Sequence, residues 1–536
     1  MHTRRFGILT VLFVLALTAI AVRSLSLQWS SLPYNIDGLS EYRVAEDIVR
    51  TGHLDFTPGA SHYDSYAADM PVLGLLVAFS SSFLGVDPLS LCQIVAGLIG
   101  AITVLLAFII FREHFPSSRG ALCAGVVLAT VGSFVFATGC VWKETLGFLL
   151  IGLALYSFSR RDDVRFRVVM ALSLILLVLI HHYSAVIGLV VVSFALLLDL
   201  AVRARCRDSL AKGIPDLITV LAAWSIAVLY YRLIDLPYLD FLSPRTDLYL
   251  YLAVAAIVFI IGAKLASGKA RSSRVPLGLV VPVAGAFLMV YNYFDPIFPG
   301  IPGPAGLIAV PFLAYLILVA PAWEGARIAL AADLRSRSLL LSMVLGPLSF
   351  IIFAFLRSND ATSHMIIYRT FDFLMIGFAI FVALGFVHIT KGRPKAGIAS
   401  GICLVIVCAS TLPIAYSSQE LFGVQNQTYG FEYDAVKWFS ENEVLSYTSD
   451  QRLGEVGWRL FDIDYGRGLP YDLREGLALN SSSFFVIEGQ WATKGAQEYP
   501  FGVVVVEQEA LDAVADEGSV MYVGGPTDNQ IVLIWA

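Results

Sequence analysis

The chain has 536 residues, 57% hydrophobic and 15% charged, with a formal net charge of −6 and a mean hydropathy of +0.74. Soluble globular chains carry about 25% charged residues. A single soluble enzyme is therefore excluded, as are disordered, coiled-coil and nucleic-acid-binding chains. The length suits one large polytopic membrane domain plus one small soluble domain. Six cysteines, all before residue 410, show neither paired nor zinc-ligand spacing and read as small apolar residues.

A bilayer-crossing helix needs roughly 20 mostly apolar residues. Thirteen such runs occur, near 6–25, 90–111, 120–139, 145–158, 168–181, 185–202, 214–231, 247–264, 275–293, 305–321, 338–356, 371–389 and 396–416. A further run, 71–86, is short and starts at Pro71. If it does not cross, alternate loops collect 22 of the 36 Lys and Arg residues, among them Arg160, Arg161, Arg203 and Arg205, and the opposite membrane loops hold eight. The positive-inside rule then predicts a cytoplasmic N-terminus and an extracytoplasmic C-terminus. Arg4 and Arg5 before an apolar stretch also suit a signal peptide. No clear small-x-small cleavage site follows, so the segment reads as a retained anchor in a plasma-membrane protein.

The first outer loop reaches from 26 to 89, and its part 26–70 holds seven acids and two arginines. Residues 38–51 predict an amphipathic helix ended by Gly52, with Leu39, Tyr42, Ala45, Ile48 and Val49 near one face. Asp37 stands just before it. That position suits an N-cap, and it equally suits a carboxylate held at the membrane surface for catalysis. Further outer helix ends carry Lys143–Glu144, His181–His182, Arg232, Arg245, Arg357, His364 and Arg369. Ionisable groups at membrane depth mark a function or a paired site, although Arg232 and Arg357 also suit snorkelling to the headgroups. Arg369, within a Tyr–Arg pair, suits a bidentate grip on a lipid phosphate. Two adjacent histidines on a turn do not make a metal site.

The tail, 417–536, sets 19 acids against six basic residues and changes to α/β periodicity. Residues 433–442 and 507–516 predict helices. SSFFVIE, FGVVVVE, SVMYVGG and QIVLIWA predict strands. Two N-x-S/T triplets, at Asn426 and Asn480, agree with an outside location. No Walker A, HExxH, GxSxG or dinucleotide fingerprint is present, and the cytoplasmic loops are too short for a nucleotide-sugar domain. Group transfer must therefore occur outside, on a donor reaching that face, which a lipid-linked phosphate does.

Four features together resemble the GT-C superfamily of integral membrane glycosyltransferases, which includes protein O-mannosyltransferases, aminoarabinose transferases of lipid A and oligosaccharyltransferase catalytic subunits. They are the thirteen-span plan with a large first outer loop, IDGLSEYRVAEDIVRTGHLDF (36–56), MPVLGLLVAFSSSFLGVDPLSL (70–91) and AVKWFSEN (435–442). The resemblance implies an all-α polytopic GT-C-like membrane domain, 1–416, with a small extracytoplasmic α/β domain, 417–536. It also implies transfer of a sugar from a polyprenyl-phosphate lipid to a glycan, lipid or protein acceptor. Asp37 matches the acidic residue of the first outer loop, with Glu41 a second candidate. Arg369 resembles the basic residue that holds the lipid phosphate. Arg43, Lys143, Glu144, His181, His182, Arg232, Arg245 and His364 complete the substrate-binding candidates. The signature WWDYG is missing, its nearest string being DIDYG (462–466). A second acidic metal motif is also lacking unless Lys143–Glu144 supplies one. The expectation is a metal-independent, inverting monosaccharide transferase without a cofactor. A transporter or flippase, a polymerase or ligase of lipid-linked glycans, and a ligand sensor are the competing readings.

Overall fold

The computed structural model describes residues 2–54, 65–236, 245–267, 277–294, 309–358, 360–417, 419, 424–477, 483–498, 502–527 and 529–535. The membrane part runs α1 (His2–Arg23), α2 (Asp37–Thr51), α3 (Ser65–Asp69), α4 (Val72–Leu84), α5 (Pro88–His114), α6 (Ser118–Thr130), α7 (Gly132–Gly139), α8 (Lys143–Ser159), α9 (Val164–Ile180) and α10 (His182–Cys206). It continues with α11 (Ile214–Leu233), α12 (Arg245–Ser267), α13 (Leu277–Phe294), α14 (Ala309–Leu330), α15 (Leu334–Arg357), α16 (Ala361–Ile389), α17 (Pro394–Ala409) and α18 (Pro413–Tyr416).

Over their described residues the predicted runs are mainly helical, but the described residues contain nine helices long and apolar enough to cross a bilayer, or ten if one bent pair counts as one span. Two of the shorter ones, α8 and α9, have 17 residues each and so rise about 25 Å, just short of a hydrocarbon core of about 30 Å. The bent pair corrects the single run 120–139: α6 and α7 meet at 68°, because Val131 is extended at φ −72°, ψ 122°. The break frees backbone groups in an apolar setting, and polar side chains take them up. Arg23, fully buried, donates to the Leu128 carbonyl at 3.3 Å and to Thr138 Oγ1. The Gly132 N–H donates to Thr411 Oγ1 at 2.7 Å. The run 71–86 forms α4, only 13 residues long.

Helices α14 and α16 touch backbone to backbone. A Cβ on Gly325 would overlap the Phe381 carbonyl oxygen, and one on Gly385 would overlap that of Pro321. Small residues permit this approach where no hydrophobic force draws helices together in lipid.

The tail contains α19 (Gly430–Glu441), β1 (Ser446–Thr448), α20 (Gln451–Phe461), β2 (Asp464–Gly466), α21 (Leu469–Arg474), β3 (Phe484–Glu488), β4 (Ala496–Glu498), β5 (Gly502–Val504), α22 (Gln508–Glu517), β6 (Ser519–Gly524) and β7 (Ile531–Trp535). Five strands form one sheet in the order β2-β1-β3-β7-β6, and β4 pairs with β5. Strand β1 runs parallel to β2 and β3, while β7 runs antiparallel to β3 and β6. The predicted strands and helices are present. Strands β1, β2 and β4, three residues each, are too short to show periodicity.

Helix α2 joins the two parts. Leu39 belongs to the tail core with Ala435, Val436, Phe439 and Leu453, whereas Ala45 belongs to the membrane core. Two buried faces explain why Val44 is buried and Val49 is 41% exposed, against the single apolar face expected. The Asn426 triplet lies in this junction, with Thr428 buried, so it is not an open glycan acceptor. The Asn480 triplet lies outside the described residues.

Replacing Gly385 with Val should separate α14 from α16 and cost about 1–3 kcal/mol as overpacking, read as a lower unfolding midpoint in detergent. In the tail, burial and the nearby Asp450 push Glu498 up to about 7, and burial pushes Asp450 up to about 6. A carboxyl whose pKa is raised by folding stabilises the fold below its unfolded value of about 4 and loses that contribution as pH rises through the folded value. Tail amides in the intact protein should therefore be less protected from hydrogen exchange at pH 8 than at pH 5, after correction for intrinsic rates. Glu498→Gln should shrink the difference.

Candidate active site

Asp37 opens α2 as its first residue, with Ile36 in the cap position and no capping side chain. The N-cap reading of Asp37 is therefore corrected. Asn35, at φ 90°, supplies the local turn: its Oδ1 accepts from the Asp37 N–H at 3.0 Å. Asn35 is itself tied to the tail, donating from its backbone to the Asn426 carbonyl at 2.9 Å and from Nδ2 to Asn426 Oδ1 at 3.1 Å. Freed from capping, the Asp37 carboxylate is 48% exposed and faces Arg459 Nη2 at 3.5 Å. Arg459 also donates to Ser40.

The next residue, Gly38, seats this turn. A Cβ there would lie 2.6 Å from Pro33 Cβ and 2.7 Å from Val141 Cβ. The start of α2 thus rests on the extended segment that leads into α8. The first two residues of α8, Lys143 and Glu144, are both buried, and each finds a partner on a different element. Lys143 Nζ donates to Glu41 of α2 and lies 4.9 Å from the Tyr66 ring centre, a cation–π distance. Glu144 Oε1 accepts from Arg369 Nη1 of α16 at 3.1 Å. It lies 3.8 Å from His181 Nε2. Glu144 also sits in the first turn of its helix, where the macrodipole favours an anion.

His181 is the N-cap of α10, its Nδ1 accepting from the Ser184 N–H. That bond assigns the ring proton of the neutral tautomer to Nε2, the nitrogen facing Glu144. His182 Nδ1 bonds Tyr66 Oη at 2.8 Å. On α16, Arg369 Nε approaches Tyr368 Oη at 3.4 Å, and Nη2 is left without a protein partner among the described residues. Asp37 lies within electrostatic reach of both Arg369 and Glu144.

The structure thus brings Asp37, Glu41, Lys143, Glu144, His181, His182 and Arg369 to one end of α2, α8, α10 and α16. Four other candidates lie elsewhere or are not described. Arg43 binds the tail, through the Leu460 carbonyl at 2.9 Å and Asp462 at 2.9 Å. Arg232 is exposed in the last turn of α11. Arg245 begins α12, and its side chain lies outside the described residues. His364 is half-buried in the first turn of α16, five residues before Arg369 and so about 140° round the helix from it.

Three residues of this region have no counterpart among the candidates read from the sequence. Asp372, buried on α16, bonds the Ser133 side chain. Its spacing of three from Arg369 was a readable signal that both share one helix face. Tyr66 and Arg459 carried no such signal, since they reach His182 and Asp37 across 116 residues and more than 400. Among the described residues no three His, Cys, Asp or Glu side chains are grouped to hold a metal ion.

No family model matches the sequence, and no curated protein matches it. Solved structures do match. The chain superposes on the oligosaccharyltransferase of Archaeoglobus fulgidus in the apo form with a TM-score of 0.54, at 15% identity, covering 92% of this chain and 70% of that one. The complex of the oligosaccharyltransferase AglB from the same organism with an inhibitory peptide and a dolichol-phosphate gives a TM-score of 0.52 at 15% identity, covering 91% and 70%. ArnT from Cupriavidus metallidurans gives a TM-score of 0.42 at 12% identity, covering 99% and 98%. The chain has the fold of this archaeal oligosaccharyltransferase, in agreement with the GT-C-like fold expected from the sequence.

Proposed function

We propose that the protein transfers a sugar from a polyprenyl-phosphate-linked donor to an acceptor hydroxyl, with inversion at the anomeric carbon and without a metal. The reading puts the first loop (26–89) and the tail (417–536) on the extracytoplasmic face and the N-terminus in the cytoplasm. The observation that carries it is Arg369. Its guanidinium is oriented by Glu144 on one nitrogen and keeps Nη2 for an anion, within electrostatic reach of Asp37, whose carboxylate is half-exposed. A similar archaeal oligosaccharyltransferase has been solved with a dolichol-phosphate, which is a lipid of the required kind.

The chemistry divides between these two groups. Asp37 removes the acceptor proton as the acceptor oxygen bonds to the anomeric carbon. The carbon–oxygen bond to the phosphate breaks on the opposite face. Polyprenyl phosphate leaves with one more negative charge, which Arg369 stabilises, with Lys143 nearby. A phosphate leaving group needs charge stabilisation more than protonation, so a guanidinium suits the site.

The test uses purified protein and labelled polyprenyl-phosphate hexose. Asp37→Asn should lower transfer by about 10²–10⁴-fold, the usual worth of a general base, with membrane expression intact. Arg369→Ala should raise the KM for donor, and Arg369→Lys should not restore it, since an ammonium lacks the planar fork. Retained activity in Asp37→Asn removes that carboxylate from the mechanism. Movement of intact donor across the bilayer without label release favours a flippase. Chelation with EDTA should leave the wild-type rate unchanged, and a loss reversed by added divalent cation overturns the metal-independent form of the reading.

A further inference from the structure

The Asp37 carboxylate stands at the first residue of α2 with half of its surface open. Asn35 holds its backbone N–H and not its side chain. A general base must keep an oxygen within hydrogen-bond reach of the proton it takes. A misplacement of about 1 Å can cost about 10²-fold in rate. Among the described residues the cation beside this carboxylate is Arg459 of the tail, with Nη2 at 3.5 Å from Oδ1.

Arg459 is itself held on every side. Its Nε donates to Glu455 Oε2 at 2.7 Å, its Nη1 donates to Ser40, and its side chain is 11% exposed. The helix that carries it, α20, is seated without clearance. Asp450 caps it, accepting from the Leu453 N–H. Gly454 and Gly457 lie against Tyr465 of β2 and Tyr447 of β1, where a Cβ on either would overlap the tyrosine.

The guanidinium works as a fork. Asp37 and Ser40 are three residues apart, one above the other on the first turn of α2. The two terminal nitrogens of Arg459 reach one each. Glu455 on the third nitrogen offsets the positive charge, so the fork offers Asp37 direction more than charge. Docking of α2 on the tail has other supports. Arg43 binds the Leu460 carbonyl and Asp462 at the far end of α20, and Leu39 lies in the tail core. The contact that only Arg459 makes is the one to the carboxylate.

We propose that Arg459 is a positioning residue, which fixes the Asp37 carboxylate for proton removal and so makes the tail part of the transfer site. The proposal rests on the transferase reading above and adds to it a residue from the other domain.

Purified full-length protein in lipid nanodiscs is given labelled polyprenyl-phosphate hexose, with water as the acceptor. Release of label is followed for kcat and for the KM of the donor. Arg459→Ala removes the fork and the charge. Arg459→Lys keeps the stem and a charge without the fork, which tests the fork in a folded protein. Both should lower kcat at least about tenfold, within the reach of a misplaced base. The KM for donor should stay within about twofold, because Arg369 holds the phosphate. In an Asp37→Asn background the same replacements should change kcat by less than about twofold, since residues that act as a unit are not additive. A role confined to docking gives another pattern, with equal losses in both backgrounds, matched by Arg43→Ala. That pattern, or Arg459 variants with the wild-type kcat, overturns the proposal. No label release by the wild-type protein, or the wild-type rate in Asp37→Asn alone, overturns the transferase reading instead.

Discussion

Two charges placed side by side at the start of an apolar helix govern the architecture of the site. Lys143 and Glu144 are buried, and a buried charge without a partner costs several kcal/mol, of order 3–5 when one member of a pair is removed. They occupy successive positions, about 100° apart round the helix, so one partner cannot serve both. Lys143 draws in Glu41 from α2, and Glu144 draws in Arg369 from α16. Compensating these charges brings elements distant in sequence together and leaves Asp37 within electrostatic reach of Arg369.

The tail is the second support. Leu39 lies in its core, Arg43 binds the end of α20, and Asn426 holds the turn before Asp37. A loop at a membrane surface has few apolar partners of its own, and ordering its backbone costs about 1–2 kcal/mol per residue. Packing α2 between membrane helices and a folded layer offsets that cost. The half-exposed carboxylate is thus carried on a rigid element, as a site of defined geometry requires. Helix α20 adds Arg459, which faces the proposed base Asp37 at 3.5 Å.

Much of this was open to reading along the chain. The apolar runs coincide with helices because bilayer thickness dictates their length and composition, and the helix 38–51 ends at Gly52, which takes φ 77°. The rule that ionisable groups at membrane depth are rarely idle pointed to Lys143, Glu144, His181, His182 and Arg369, while the resemblance pointed to Asp37 and Glu41. The same rule drew in Arg232, which lies apart from the cluster, because it reports depth and not direction. It passed over Asp372, whose neighbours are apolar enough to hide it within the run 371–389.

The amino-acid sequence by itself determined the class of the molecule, its helical runs, the α/β character of its tail and the charged residues that demand partners. These are consequences of hydropathy and local periodicity, which act over a few turns. Tertiary structure alone decided which charge meets which, since the pairs Glu41–Lys143 and Glu144–Arg369 are separated by 102 and 225 residues. It also decided that α6 and α7 break at Val131, that Asn35 rather than Asp37 shapes the turn, and that Arg459 of the tail faces Asp37. Each of these depends on desolvation and packing between distant segments, and such terms take their values only when the segments are brought together.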